Sequence, residues 1–158
     1  MTERARAVLV TPDRQMLTIR RVRPGQVPYC VLPGGGIDDG ETPEKALARE
    51  LREELAAAAE VHSLVYIHDD GSTRQYVYLA RAHTWSAKAG DRTGPEFRDP
   101  ARGQYHVQAE PLTPAALAAI NLKPDAVAGF LLDTLQAGTD LFSLPDLRGT
   151  KAAADAPR

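Results

Sequence analysis

Between Leu32 and Leu55 the chain reads "LPGGGIDDGETPEKALARELREEL", three adjacent glycines followed by a run of strong helix formers. On a 3.6-residue wheel Glu50, Glu53 and Glu54 stand at i, i+3 and i+4, so their carboxylates share one side of a helix. Leu47, Leu51 and Leu55 fall four apart and make the neighbouring apolar ridge. Like charges at this spacing cost an isolated helix roughly 0.2–0.5 kcal/mol per pair, and more where water is excluded. Carboxylate oxygens gathered beside a core-facing ridge are what a hard divalent cation such as Mg²⁺ or Mn²⁺ requires. Taken alone, the same pattern also suits a solvated acidic helix whose charge Arg49 and Arg52 partly offset.

The surrounding elements must hold this helix in place. Thr42 is its expected N-cap, Pro43 suits the first helical position, and the helix is expected to run to about Ala59. Ahead of it, Ala5 to Val10 and Met16 to Val22 read as a hairpin around the turn chemistry of Pro12 and Asp13. "CVL" then reads as a short strand entering the glycines. Downstream, "VHSLVYIH" and "TRQYVYLARAHTW" are strands around the Asp69-Asp70-Gly71 turn, and "QYHVQAEPL" is another. Thr113 to Ile120 and Asp125 to Gln136 read as helices. Residues 86–103 form the longest irregular stretch, and 150–158 a disordered tail. This order predicts an α/β fold, a mixed β-sheet sandwiched between α-helices, as one domain over residues 1–149.

Composition narrows the function. A formal net charge of −2 over 158 residues is the wrong balance for holding a nucleic-acid polymer by bulk electrostatics. Phosphate on a small ligand must then be met by a few local arginines or by bound cations. Cys30 is the only cysteine, which excludes an intrachain disulfide and favours a small buried residue. No apolar run reaches the length of a signal peptide or a membrane span, so a cytoplasmic protein is expected, as monomer or homodimer. His62, His68, His83 and His106 lack the spacing of a metal site.

The order of spaced residues carries more than the helix does. From Gly35 five residues lead to Glu41, seven more to Arg49-Glu50-Leu51, and one further to Glu53-Glu54. With the preceding "LPGG" and the internal "GET", this resembles the signature of the Nudix (MutT-like) hydrolases. The closing glycine and apolar residue of that signature are Ala56 and Ala57 here, and Asp38 stands where the family often has Glu. Because alanine carries a helix onward where glycine stops it, the helix is expected to run a few residues longer.

The resemblance implies a Nudix fold and divalent-metal-dependent hydrolysis of a nucleoside diphosphate linked to another group, with water attacking phosphorus. By family position Glu50, Glu53 and Glu54 are metal ligands, joined by a backbone carbonyl near Gly35. Arg49 holds a carboxylate in place, and Glu41 binds metal through water or braces the loop. The general base is Glu50, Glu53 or Glu96, the last from the irregular stretch, where relatives place a late metal-binding glutamate. Of Arg20 and Arg21, strand alternation allows one to reach phosphate. Tyr29 stacks on a base or packs in the core. A (d)NTP or modified nucleotide is the favoured substrate, followed by ADP-ribose or a nucleotide sugar. A non-catalytic nucleotide-sensing module is a third reading, weakened by the presence of every signature glutamate.

Overall fold

The computed structural model describes residues 1–87 and 103–150; Glu96 and the tail from 151 onward lie outside the described residues. Strand β1 (Thr2–Val10) is the axis of the fold. Along one edge it pairs in parallel with β6 (Thr73–Thr84), from Thr2 opposite Thr73 to Val10 opposite Arg81. Its other edge is shared by two strands. Leu9 and Val10 pair with Leu17 and Met16 of β2 (Gln15–Val22), while Arg4, Ala5 and Arg6 pair with Gly36, Gly35 and Gly34 of β4 (Gly34–Gly36). The edge of β1 is therefore forked, with the Ala7 N–H donating to the carbonyl of Pro33 at 2.9 Å between the prongs.

Strand β2 turns outward from the fork. One edge pairs with β3 (Tyr29–Val31), and the other pairs along its length with β7 (Gln104–Pro111). Strand β5 (Ala58–Asp69) lies antiparallel to β6, and the short β8 (Leu122–Lys123) parallel to β3. The sheet is mixed, as expected. Its glycine strand and β8 were not expected, because three glycines read as loop and two residues carry no periodicity.

Strand alternation sends the side chains of β1 to two cores. Ala5, Ala7 and Leu9 join Leu47, Leu51 and Leu55 of α1 (Pro43–Leu55), the apolar ridge seen in the sequence, each at most 1% exposed. Val8 and Val10 join Cys30, Leu117 of α2 (Pro114–Ala119), and Val127 and Leu131 of α3 (Asp125–Gln136). Helices thus cover both faces. Burial of each leucine of the ridge stabilises α1 on the sheet by about 1.5–3 kcal/mol. Cys30 is buried as expected, and burial pushes its thiol pKa up.

Thr42 caps α1 by accepting from the Lys45 N–H at 3.2 Å, with Pro43 opening the helix. The far end corrects the sequence reading. The helix stops at Leu55, and Ala56 takes the left-handed conformation (φ 49°, ψ 34°) where a glycine would be at ease. The Ala56 N–H donates to the Arg52 carbonyl at 2.9 Å, the single bond of an αL ending, and the Ala57 N–H donates to the Leu51 carbonyl at 3.2 Å. Local propensity loses because Ala57 is buried in the core and β5 must start at Ala58. Downstream, the chain after α3 is tied to β5. Leu147 N–H donates to Leu64 O at 2.8 Å, and Asp146 accepts from the Leu64 and Arg148 N–H groups and from the Arg148 guanidinium. Among the described residues no helix is long and apolar enough to cross a membrane.

Two expectations follow from these ends. Left-handed alanine costs roughly 1–2 kcal/mol, and glycine loses part of that advantage in the unfolded chain. Ala56→Gly should therefore stabilise the protein by about 1 kcal/mol, read as a higher urea midpoint at unchanged slope. The hydrogen bonds from Arg148 hold the Asp146 carboxyl well below the ordinary aspartate value of 3.8. A depressed acid contributes stability above its unfolded value and loses it as pH falls below that value. Asp146→Asn should cost about 1 kcal/mol at pH 7, a figure kept small by the exposure of the pair. The difference from the parent protein should shrink below about pH 4. A cost that stays constant down to pH 2.5 in urea melts would assign it to packing.

Candidate active site

The fork brings bare backbone against carboxylates. Glu54 is 5% exposed, and its Oε1 accepts the Gly34 N–H at 2.7 Å. Gly34 sits at φ +134°, and a Cβ there would run into the Ala5 carbonyl. At Gly35 a Cβ would lie 2.5–2.7 Å from the carboxyl atoms of Glu50. These two glycines are required by close approach rather than by a turn.

Arg49 organises the acidic side. Its guanidinium grips both oxygens of Glu41 at 2.9 Å, Glu50 Oε1 at 2.9 Å and the Gly36 carbonyl at 3.0 Å. Glu53 and Asp38 stand further off, at 3.7 and 3.5 Å. The fork-like pairing with Arg49, helped by the Asp38 N–H, holds the Glu41 carboxyl down to about 2, and Glu41 in return raises the Arg49 pKa. Glu41 is thus bonded both to Arg49 and to the Asp38 N–H just after the glycine strand.

The convergence of Glu50, Glu53 and Glu54 is only partial. Among the described residues no three acidic, histidine or cysteine side chains are gathered as a metal cluster. The reason is visible in the partners: Glu54 is turned to Gly34, Glu50 lies under Gly35 with one oxygen on Arg49, and Glu53 is the more exposed. The donor chemistry nevertheless fits a hard divalent ion. All candidate ligands are oxygens, and the guanidiniums of Arg49 and Arg6 are outnumbered by Asp38, Glu41, Glu50, Glu53 and Glu54.

Arg6, which donates to the Gly34 carbonyl, also lines a cleft of about 240 Å³, together with Arg21, Tyr29, Gln75, Lys123 and Val127. Arg21 is the arginine of the expected pair that lines it; Arg20, one residue back, does not. The Arg21 guanidinium carbon lies 4.7 Å from the Tyr105 ring centre and 5.9 Å from that of Tyr29, and its Nη2 donates to the Tyr105 hydroxyl. Tyr29 is thus a cleft residue held by a cation–π contact. Arg6, Gln75 and Lys123 were not foreseen. Arg6 and Gln75 are polar residues within β-strands, and Lys123 precedes a proline, so nothing in their spacing marks them.

The NUDIX domain pattern matches residues 1–126, from β1 to the start of α3. The chain belongs to the Nudix hydrolase family. A curated relative, nucleoside triphosphatase NudI of Enterobacter sp. (strain 638), is 36% identical over 96 residues, covering 54% of this chain and 66% of the relative. The chain thus matches just under two thirds of that protein's length. A solved Nudix hydrolase from Nitrosomonas europaea superposes with a TM-score of 0.62 at 14% identity, over 91% of this chain and 95% of that one. A MutT Nudix hydrolase from Burkholderia pseudomallei does so at 0.51 and 26% identity, over 84% and 95%. This Nudix domain keeps Glu50, Glu53 and Glu54 of its signature on the helix that the glycine strand faces.

The two glycines should respond differently to one added methyl group. Gly34→Ala meets backbone and should destabilise the fold by several kcal/mol, in line with large overpacking and backbone strain. Gly35→Ala first meets the movable end of Glu50. It should keep its melting temperature within a few degrees while turnover falls at least tenfold. Equal loss of stability in both variants would show that the Gly35 contact is structural.

Proposed function

We propose that the protein is a divalent-metal-dependent pyrophosphohydrolase of nucleoside triphosphates or modified nucleotides, releasing the monophosphate and pyrophosphate. The observation that carries this reading is the juxtaposition of Glu50 and Glu54 with the Gly34–Gly35 backbone, which Arg6 links to a cleft lined by Arg21 and Tyr29. The name of the NudI relative, a nucleoside triphosphatase, supports the substrate class. A volume of about 240 Å³ falls below the roughly 300–1,000 Å³ of whole-ligand pockets, so the cleft takes one part of a nucleotide.

Glu50, Glu53 and Glu54, with the Gly35 carbonyl, would hold Mg²⁺ or Mn²⁺. Such an ion, when bound, neutralises phosphoanhydride charge and acidifies water at the site. The chain does the rest. Arg49 fixes Glu50 and the loop carbonyl of Gly36, and Glu41 keeps Arg49 in that pose. Glu50 or Glu53 takes the proton from the attacking water, and Glu96 keeps the same candidacy from the sequence alone. Tyr29 and Arg21 present an aromatic face and guanidinium donors to the base or to phosphate.

The test is a panel of dNTPs, modified dNTPs, ADP-ribose, dinucleoside polyphosphates and sugar nucleotides, each with Mg²⁺ or Mn²⁺. Triphosphates should give pyrophosphate and monophosphate, chelation should abolish turnover, and Glu54→Gln should lower kcat at least a hundredfold with the fold retained. Higher kcat/KM on ADP-ribose or a sugar nucleotide would overturn the substrate class. Tight nucleotide binding without turnover on any substrate would replace the enzyme with a sensing module.

A further inference from the structure

Arg6 lies opposite Gly34 in the β1–β4 ladder and opposite Val77 in β6. Alternation places it in line with Val8 and Val10, on the side of the sheet covered by α2 and α3. A guanidinium there is costly unless its donors find acceptors. Arg6 Nη1 donates to the carbonyls of Gly34 at 2.9 Å and Leu32 at 3.2 Å. The carbonyl between them, that of Pro33, accepts from Ala7 N–H. Three successive carbonyls of the glycine loop are thus occupied, two of them by one side chain of β1.

The same Gly34 gives its N–H to Glu54. A residue without a side chain, at φ +134°, has little of its own to fix its peptide planes. Bonds on its N–H and on its C=O fix both. We propose that Arg6 is a positioning residue, which holds the Gly34–Gly35 peptide so that Glu54 is seated and the loop backbone lies over Glu50. The effect of Arg6 on turnover rests on the hydrolase reading; its hold on the peptide does not.

The charge of Arg6 gives the proposal a distinctive sign. A cation this near Glu54 opposes the arrival of another cation. Removing it favours metal binding electrostatically while freeing the peptide that shapes the site. Loss of Arg6 should therefore lower kcat without weakening metal affinity, unlike the loss of a ligand. It should also leave KM nearly unchanged, unlike the loss of a substrate contact.

The experiment compares the full chain with Arg6→Met, which keeps length without donors, and Arg6→Lys, which keeps charge. Amide hydrogen exchange of Gly34 is measured in protein treated with chelator, with Leu9 and Val77 as core references. Arg6→Met should speed Gly34 exchange at least tenfold with the references unchanged, and Arg6→Lys should fall between. In calorimetry Mn²⁺ should bind Arg6→Met no more weakly than the parent. On the best substrate of the panel kcat should fall at least tenfold with KM within threefold. Unchanged Gly34 exchange, or faster exchange with unchanged kcat, would overturn the proposal, as would an effect confined to KM. If Arg6→Met does not fold, Arg6→Lys decides by the same measurements. If the parent hydrolyses nothing in the panel, the functional reading fails, and Gly34 exchange alone still decides whether Arg6 holds the loop.

Discussion

The structure depends on the way one edge of β1 is divided. A strand that paired fully with its hairpin partner would leave no edge for the glycines. Here β2 takes two residues and departs, and β4 takes Arg4, Ala5 and Arg6 on the amino-terminal side. Because Gly34 to Gly36 are laddered to β1, their backbone is held as firmly as a sheet, yet they present no side chains to α1. The helix can then bring carboxylates to within contact of the main chain. This is how a chain with a small negative net charge concentrates acid at one place without loosening its fold.

Around that division the electrostatics are arranged in two ranks. Arg49 sits among the carboxylates and fixes their poses through Glu41, Glu50 and the Gly36 carbonyl. Arg6 reaches the same loop from the other face of the sheet and donates to the carbonyls of Leu32 and Gly34. Burial pulls the Arg6 pKa down, and Glu54 opposes that shift. Neither guanidinium is available to be replaced by lysine without loss, since each satisfies acceptors in several directions at once.

Much of this was legible in the sequence where local physics and tertiary need agreed. Thr42 caps the helix, Leu47, Leu51 and Leu55 are buried, and α3 runs over Asp125–Gln136 as its periodicity indicates. The family signature located the acidic helix as well. What could not be read is what depends on partners far along the chain. Gly34 to Gly36 form a strand only because β1 offers an edge, and Ala56 leaves the helix only because Ala57 and β5 are wanted elsewhere. Arg6 looks like an ordinary strand arginine until the carbonyls it serves, those of Leu32 and Gly34, are seen beside it. The spacing of Glu50, Glu53 and Glu54 gave their side of the helix but not the separate partners that draw them apart.

The parallel register of β1 with β6 has a consequence for the order of assembly. It joins the first ten residues to a strand that begins only at Thr73. The hairpin with β2, the one local pairing β1 possesses, contributes just Leu9 and Val10 opposite Leu17 and Met16. During synthesis the apolar segment "AVLV" must therefore wait, with most of one edge unpaired, until β6 has left the ribosome. Contacts that close such long loops are slow to form and leave strand edges exposed in the meantime. The glycine strand closes a shorter loop onto β1 than β6 does, so the edge left open longest is the one that β6 covers.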